Sequence, residues 1–87
     1  MVQPETTTSF GYWVRRQRLA LDLTQAELAR LVSCAKVTIT KIEHDERRPS
    51  RQMANLLADH LAISTDERAR FVATALGLQS AEHLHLA

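Results

Sequence analysis

Three residues, Ser33-Cys34-Ala35, separate two short stretches of helical periodicity, and no other feature of the sequence restricts the fold as strongly. Leu28, Leu31 and Val32 set an inward i, i+3, i+4 face before this corner, and Ile39 and Ile42 set a second one after it. A connection this short does not let the chain wander, so the two segments form a tight helix–corner–helix unit around one core. The start of the earlier helix is marked just as firmly. Thr24 with Glu27 three residues on predicts a capping box, and Leu23 and Leu28 fall where a hydrophobic staple closes. That helix is expected to end near Val32. The later helix is expected over Lys36–His44. At 100° per residue, Lys36, Val37, Thr40, Lys41 and His44 centre on the side opposite the isoleucines. This outer face carries two lysines and no acid.

The remaining segments add three more helices. Ser9 is placed to cap a first helix from Phe10 to about Leu21, with Phe10, Val14 and Leu21 inward and Trp13 and Leu19 flanking. Asp45-Glu46-Arg47-Arg48-Pro49 is a charged connector in which Pro49 bars the preceding helix from continuing. Ser50 then caps a helix whose Met53, Leu56, Leu57 and Leu61 face the core. Ser64 and Glu67 predict a second capping box, opening a fifth helix with Phe71, Val72 and Leu76 inward and Gly77 as its C′ stop. Leu78 is the apolar residue that folds back on such a stop. The expectation is an all-α, compact bundle of five short helices. Residues 1–8 form an N-terminal arm, 9–78 the domain, and 79–87 a C-terminal tail.

Composition narrows what such a bundle does. Eighty-seven residues suffice for one domain, with little room for a large active-site cavity. At 45% hydrophobic and 24% charged residues, with only two glycines and two prolines, the chain has a globular and helix-favouring make-up. The longest uncharged stretch, Phe71 to Ala81, falls well short of the roughly 20 residues of a membrane helix. No basic-then-apolar leader opens the sequence. The single cysteine forbids an internal disulfide and fits a reducing compartment, so a cytoplasmic, nucleoid-associated setting is expected. Charge is uneven: residues 1–51 hold nine Lys/Arg against six Asp/Glu, and residues 52–87 hold two against four. A basic front half suits a polyanion.

Two short helices, a three-residue corner and a second helix with a polar, acid-free outer face describe a helix-turn-helix. Leu23-Thr24-Gln25-Ala26-Glu27-Leu28-Ala29, then Thr38-Ile39-Thr40-Lys41-Ile42-Glu43 and Arg47-Arg48-Pro49, resemble the phage repressor and Cro-type helix-turn-helix family. The resemblance covers about Phe10 to Leu76. Phe10-Gly11-Tyr12-Trp13-Val14-Arg15, the Ser33-Cys34 corner and Glu46–Gln52 are also similar to DNA-binding N-terminal modules of large bacterial signalling ATPase regulators, which implies further domains in a longer parent protein.

The family resemblance implies roles residue by residue. Gln25, with Thr24 before it, would meet a phosphate through its side-chain amide and backbone N–H. Lys36, Val37, Thr38, Thr40 and Lys41 would lie on the recognition helix, with His44 at its border. A lysine there suits guanine O6/N7, and Val37 or the Thr40 methyl suits a thymine methyl. Arg47 and Arg48 would grip the DNA backbone. Arg18 and Glu43 match an internal ion pair that ties the first helix to the third. The implied partner is double-stranded DNA; related repressors often pair on half-sites about 34–36 Å apart, for which the fifth helix is the candidate dimer surface, whereas a module of a larger regulator would bind alone. No cofactor, metal or catalytic residue is implied.

The sequence departs from the family pattern at three places: Ser33 and Asp45 stand where glycine is usual, and Ala35 stands where Ser or Thr usually caps the recognition helix. The first two would carry strain in a left-handed backbone, the third loses a cap. Several other residues have plain structural readings. Cys34 is a corner plug rather than a nucleophile, Trp13 is a core or partner-contact residue, Arg15 and Arg16 face solvent, and His83 and His85 are too few for a metal. The rival function is a protein-interaction module, motivated by the acidic back half and by Phe71, Val72, Leu76, Leu84 and Leu86; a hydrolase finds no catalytic cluster.

Overall fold

A computed structural model describes residues 9–77 and shows five helices and, among these residues, no strand. They are α1 (Phe10–Ala20), α2 (Gln25–Leu31), α3 (Lys36–Glu43), α4 (Arg51–His60) and α5 (Thr65–Ala75). The fold class and all five elements agree with the sequence; the expected arm, tail and Leu78 contact lie outside the described residues.

Local chemistry sets the starts. Ser9 Oγ accepts the Tyr12 N–H and Ser50 Oγ the Met53 N–H. Thr24 and Glu27 close the predicted box in both directions, at 3.0 and 2.8 Å. These bonds, that from the Thr24 backbone N–H foremost, hold the Glu27 carboxyl below its ordinary pKa. Two starts differ. Ala35 leaves α3 without a side-chain cap, as its methyl requires. Ser64 does sit at the N-cap of α5, but its side chain makes no capping bond, so the second capping box does not form. The Glu67 N–H turns instead to the Ser64 backbone carbonyl at 3.1 Å.

The stops share one device. The residue after each helix cap is left-handed: Asp22, Ser33, Asp45 and Ala62, with φ of 57–60°, and Gly77 at 79°. After α1, α2, α3 and α4 the next N–H reaches back to the third-last helical carbonyl: Leu23 to Arg18, Cys34 to Ala29, Glu46 to Lys41 and Ile63 to Ala58. These are Schellman closures. The left-handed turn at Asp45, four residues before Pro49, therefore ends α3, and the proline does not. Asp45 has a second task, because its Oδ1 accepts the Gly11 N–H at 2.8 Å and so ties the start of α1 to the end of α3.

A non-glycine residue in this conformation costs about 1–2 kcal/mol, partly offset because glycine makes the unfolded chain more flexible. Ala62→Gly is expected to raise stability by roughly 0.5–1 kcal/mol, seen as a Tm higher by a few degrees in a thermal melt. An unchanged or lower Tm would show that the Ala62 turn carries no strain.

α2 packs on α3, α4 on α5, and α1 bridges α3 and α5. Val14, Leu28, Ile39, Ile42, Leu57, Leu61 and Phe71 are fully enclosed, with alanines 29, 54, 58 and 75 buried among them. Trp13 packs edge-on to Phe71 at 5.0 Å, which makes it a core-flanking residue as expected. Two apolar assignments are corrected. Leu21 and Leu31, expected inward, are 39% and 45% exposed. Leu21 is already the cap of α1, where the helical phase ends, and in the two-turn α2 the inward place is taken by Ala29. Gly11 allows α1 to lie on the end of α3, since a Cβ there would collide with the carbonyl oxygens of Ile42 and Glu43.

Candidate nucleic-acid interface

The surface opposite Ile39 and Ile42 is built by α3 and held by α2. Lys36, Val37, Lys41 and His44 are exposed and Thr38 and Thr40 half-buried, so the helical projection holds. Val37 is 57% exposed, far more than a core valine tolerates. Neither lysine is ion-paired with a described residue, and the one carboxylate within α3, Glu43, is turned inside. The outer face thus offers two cations, a hydroxyl and apolar surface. Gln25 and Lys36 line one open cleft, so the start of α2 and the start of α3 border the same surface.

Behind that face lies a chain of polar contacts. Arg18 Nε meets Glu43 Oε2 at 2.6 Å and Nη2 donates to Oε1 at 3.2 Å, while Nη1 donates to the Leu23 carbonyl at 2.8 Å. The side chains are 8% and 1% exposed, which gives the pair its enclosed setting. Glu43 Oε1 also accepts from Gln25 Nε2 at 2.9 Å. Gln25 Oε1 in turn accepts from the Thr40 hydroxyl at 2.9 Å. One amide N–H of Gln25 is therefore engaged inside the protein. Its other amide N–H, and a backbone N–H at the first helical position, remain for an outside acceptor. Thr24 is engaged in its capping box.

The two connector arginines part company. Arg47 is exposed and close enough to Cys34 for its charge to act on the thiol, so it stands beside the corner from which α3 departs. Arg48 lies against the end of α5: a Cβ built on Gly77 would fall 2.5 Å from Arg48 Nη1. The last turn of α5 has no basic residue of its own, and this guanidinium supplies the cation that a helix C-terminus favours. Nothing in the sequence pattern announced that contact. Burial pushes the Cys34 thiol pKa up, with Arg47 opposing, which leaves a protonated thiol and agrees with a corner plug.

Among the described residues no group of three or more His, Cys, Asp or Glu is placed to hold a metal ion, and no helix is long and apolar enough to cross a membrane. His83 and His85 lie outside the described residues.

A seven-residue helix, a corner closed by left-handed Ser33, and an eight-residue helix with a cationic outer face form a helix-turn-helix. The sequence profile of the helix-turn-helix family HTH_3 matches residues 14–68, more than half of the chain, and the chain belongs to this family of phage repressor and Cro-type domains. The family is a DNA-binding one, typically serving transcription regulation, and is not a catalytic family. No curated protein and no solved structure gives a significant match.

Proposed function

We propose that this domain binds specific sequences of double-stranded DNA in transcriptional control, with α3 lying in the major groove. The observation that carries this is the outer face of α3, where exposed Lys36 and Lys41 flank Val37 and Thr40 while Ile39 and Ile42 are buried behind them. A single helix fits the roughly 12 Å width of that groove, and residues near its N-terminus reach base edges. Lys36, Val37, Thr38, Thr40 and Lys41 make the base-side set, with His44 at its edge. Arg47, Thr24 and the Gln25 N–H groups take phosphates. Arg48, exposed as well but beside Gly77 at the end of α5, is the second backbone cation. On paired half-sites, two copies would meet through α5.

The adaptor reading keeps the acidic back half and the half-buried Leu76 but loses part of its apolar surface. Phe71 and Val72, offered as its contact surface, are 0% and 6% exposed and belong to the core.

Phosphate neutralisation releases counterions, so affinity should fall steeply with salt, with a log–log slope of about −0.9 for each phosphate neutralised. Arg47→Ala is expected to weaken selected and random duplexes alike and to reduce that slope by about 1. Fluorescence anisotropy across a salt series checks it. An Arg47→Ala change that alters base preference and leaves the slope untouched contradicts the assignment.

A further inference from the structure

The Gln25 carboxamide is held at both ends. Its nitrogen donates to Glu43 Oε1 at 2.9 Å, and its oxygen faces the Thr40 hydroxyl at 2.9 Å. An ionised carboxylate has no proton to give, so Glu43 dictates which end of the amide is nitrogen. Both oxygens of the Glu43 carboxylate accept from the Arg18 guanidinium, at 2.6 and 3.2 Å, so the whole group is an acceptor. The atom turned to Thr40 is therefore a carbonyl oxygen, and Thr40 must be the donor. The other polar atom near Thr40 Oγ1, the Lys36 carbonyl at 3.3 Å, is an acceptor too and cannot reverse the direction. A hydroxyl has one proton, and here that proton points into the protein.

We propose that Thr40 is an acceptor-only reader of the major groove, and that Gln25 is the positioning residue that makes it so. A hydroxyl that offers lone pairs alone bonds a base carrying an exocyclic amine, adenine N6 or cytosine N4. Against guanine O6/N7 or thymine O4 it sets acceptor against acceptor. The chain of donors strengthens the effect: an amide that donates to an anion has a more electron-rich oxygen and grips the hydroxyl proton harder. The buried ion pair thus acts through two side chains on which base the surface accepts. This inference rests on α3 being the recognition helix.

Randomised-duplex selection on the full chain tests it, comparing wild type, Thr40→Val, Thr40→Ser and Gln25→Leu. Wild type should favour adenine or cytosine at one position by about five- to tenfold, the worth of one net hydrogen bond. Thr40→Val should flatten that position alone, and Thr40→Ser should keep it. Gln25→Leu removes the nearer acceptor and leaves the hydroxyl proton only the longer bond to the Lys36 carbonyl at 3.3 Å, so guanine and thymine should gain at the same position even where overall affinity drops. A wild-type preference for guanine or thymine that Thr40→Val removes would overturn the proposal, as would base frequencies unmoved by both Thr40→Val and Gln25→Leu. Should Gln25→Leu fail to fold, the Val and Ser variants decide alone. Failure of the underlying assignment looks different: selection returns no motif, or Lys36→Glu with Lys41→Glu leaves the motif intact.

Discussion

Reversing both charges on the outer face of α3, as Lys36→Glu together with Lys41→Glu, is expected to abolish site preference and to lower affinity for a selected duplex about 10²–10⁴-fold. Each side chain stands to lose a base or phosphate contact worth about 1–3 kcal/mol, and each new carboxylate faces a polyanion. Together these give roughly 3–6 kcal/mol, which sets the fold-change. The folded state should hardly notice. Both lysines are exposed and make no ion pair with a described residue, and surface changes of that kind shift stability by about 0.5 kcal/mol or less. The measurement is paired: anisotropy titrations with selected and scrambled duplexes, and a thermal melt of the same preparation. A double variant that melts normally and still tells the two duplexes apart would remove α3 from the groove.

The second large effect is on stability. Arg18→Ala is expected to cost about 3–5 kcal/mol, because it strands the Glu43 carboxylate in an enclosed site with only the Gln25 amide for company. A domain of this size has roughly 4–13 kcal/mol in total, so the variant should be partly unfolded or nearly so at ambient temperature. Enclosed pairs are poor stabilisers when compared with apolar replacements of similar volume. Arg18→Met with Glu43→Leu should accordingly be more stable than Arg18→Ala, even though it removes more charge. Urea unfolding of the three proteins settles the order. If Arg18→Ala loses less than about 1 kcal/mol, the pair is better hydrated than its exposure implies. The double replacement also separates folding from recognition: it should fold, yet lose the base preference that Glu43 imposes through Gln25 and Thr40.

Much of this architecture was legible because short helices advertise their ends. Ser9, Thr24 and Ser50 are small oxygen-bearing residues just ahead of apolar periodicity, and each makes its capping bond. Ile39 and Ile42 fixed the phase of α3, and with it the exposure of Lys36, Val37 and Lys41. Where the chain was misread, small residues were responsible. Counting large apolar side chains put Leu31 inside α2, whereas close helix packing chose Ala29, and alanines 54, 58 and 75 are as buried as any leucine. Gly11, to which the periodicity gave no role, is the point where α1 touches the end of α3. Ser64 occupies its expected place yet makes no side-chain bond, because sequence spacing cannot set a rotamer.

The candidate site divides along the same line. The outward set on α3 follows from angular arithmetic, and Gln25, Arg18 and Glu43 follow from the family resemblance. The direction of the Thr40 hydroxyl bond and the departure of Arg48 towards α5 depend on side-chain paths that run between elements far apart in sequence. Asp45 combines both cases. Its left-handed backbone was expected from the missing glycine, but its carboxylate bond to the Gly11 N–H, across 34 positions of sequence, was not.

The contact between Arg48 and Gly77 has a practical consequence for anyone attaching cargo to this domain. The polypeptide leaves α5 beside a cation that belongs to the connector following α3. A fluorophore, tether or fusion joined directly after residue 77 would crowd that guanidinium and change the neighbourhood of the connector. A spacer of several flexible residues, or attachment at the opposite end of α5 near Thr65, keeps a reporter from disturbing the surface that it is meant to report on.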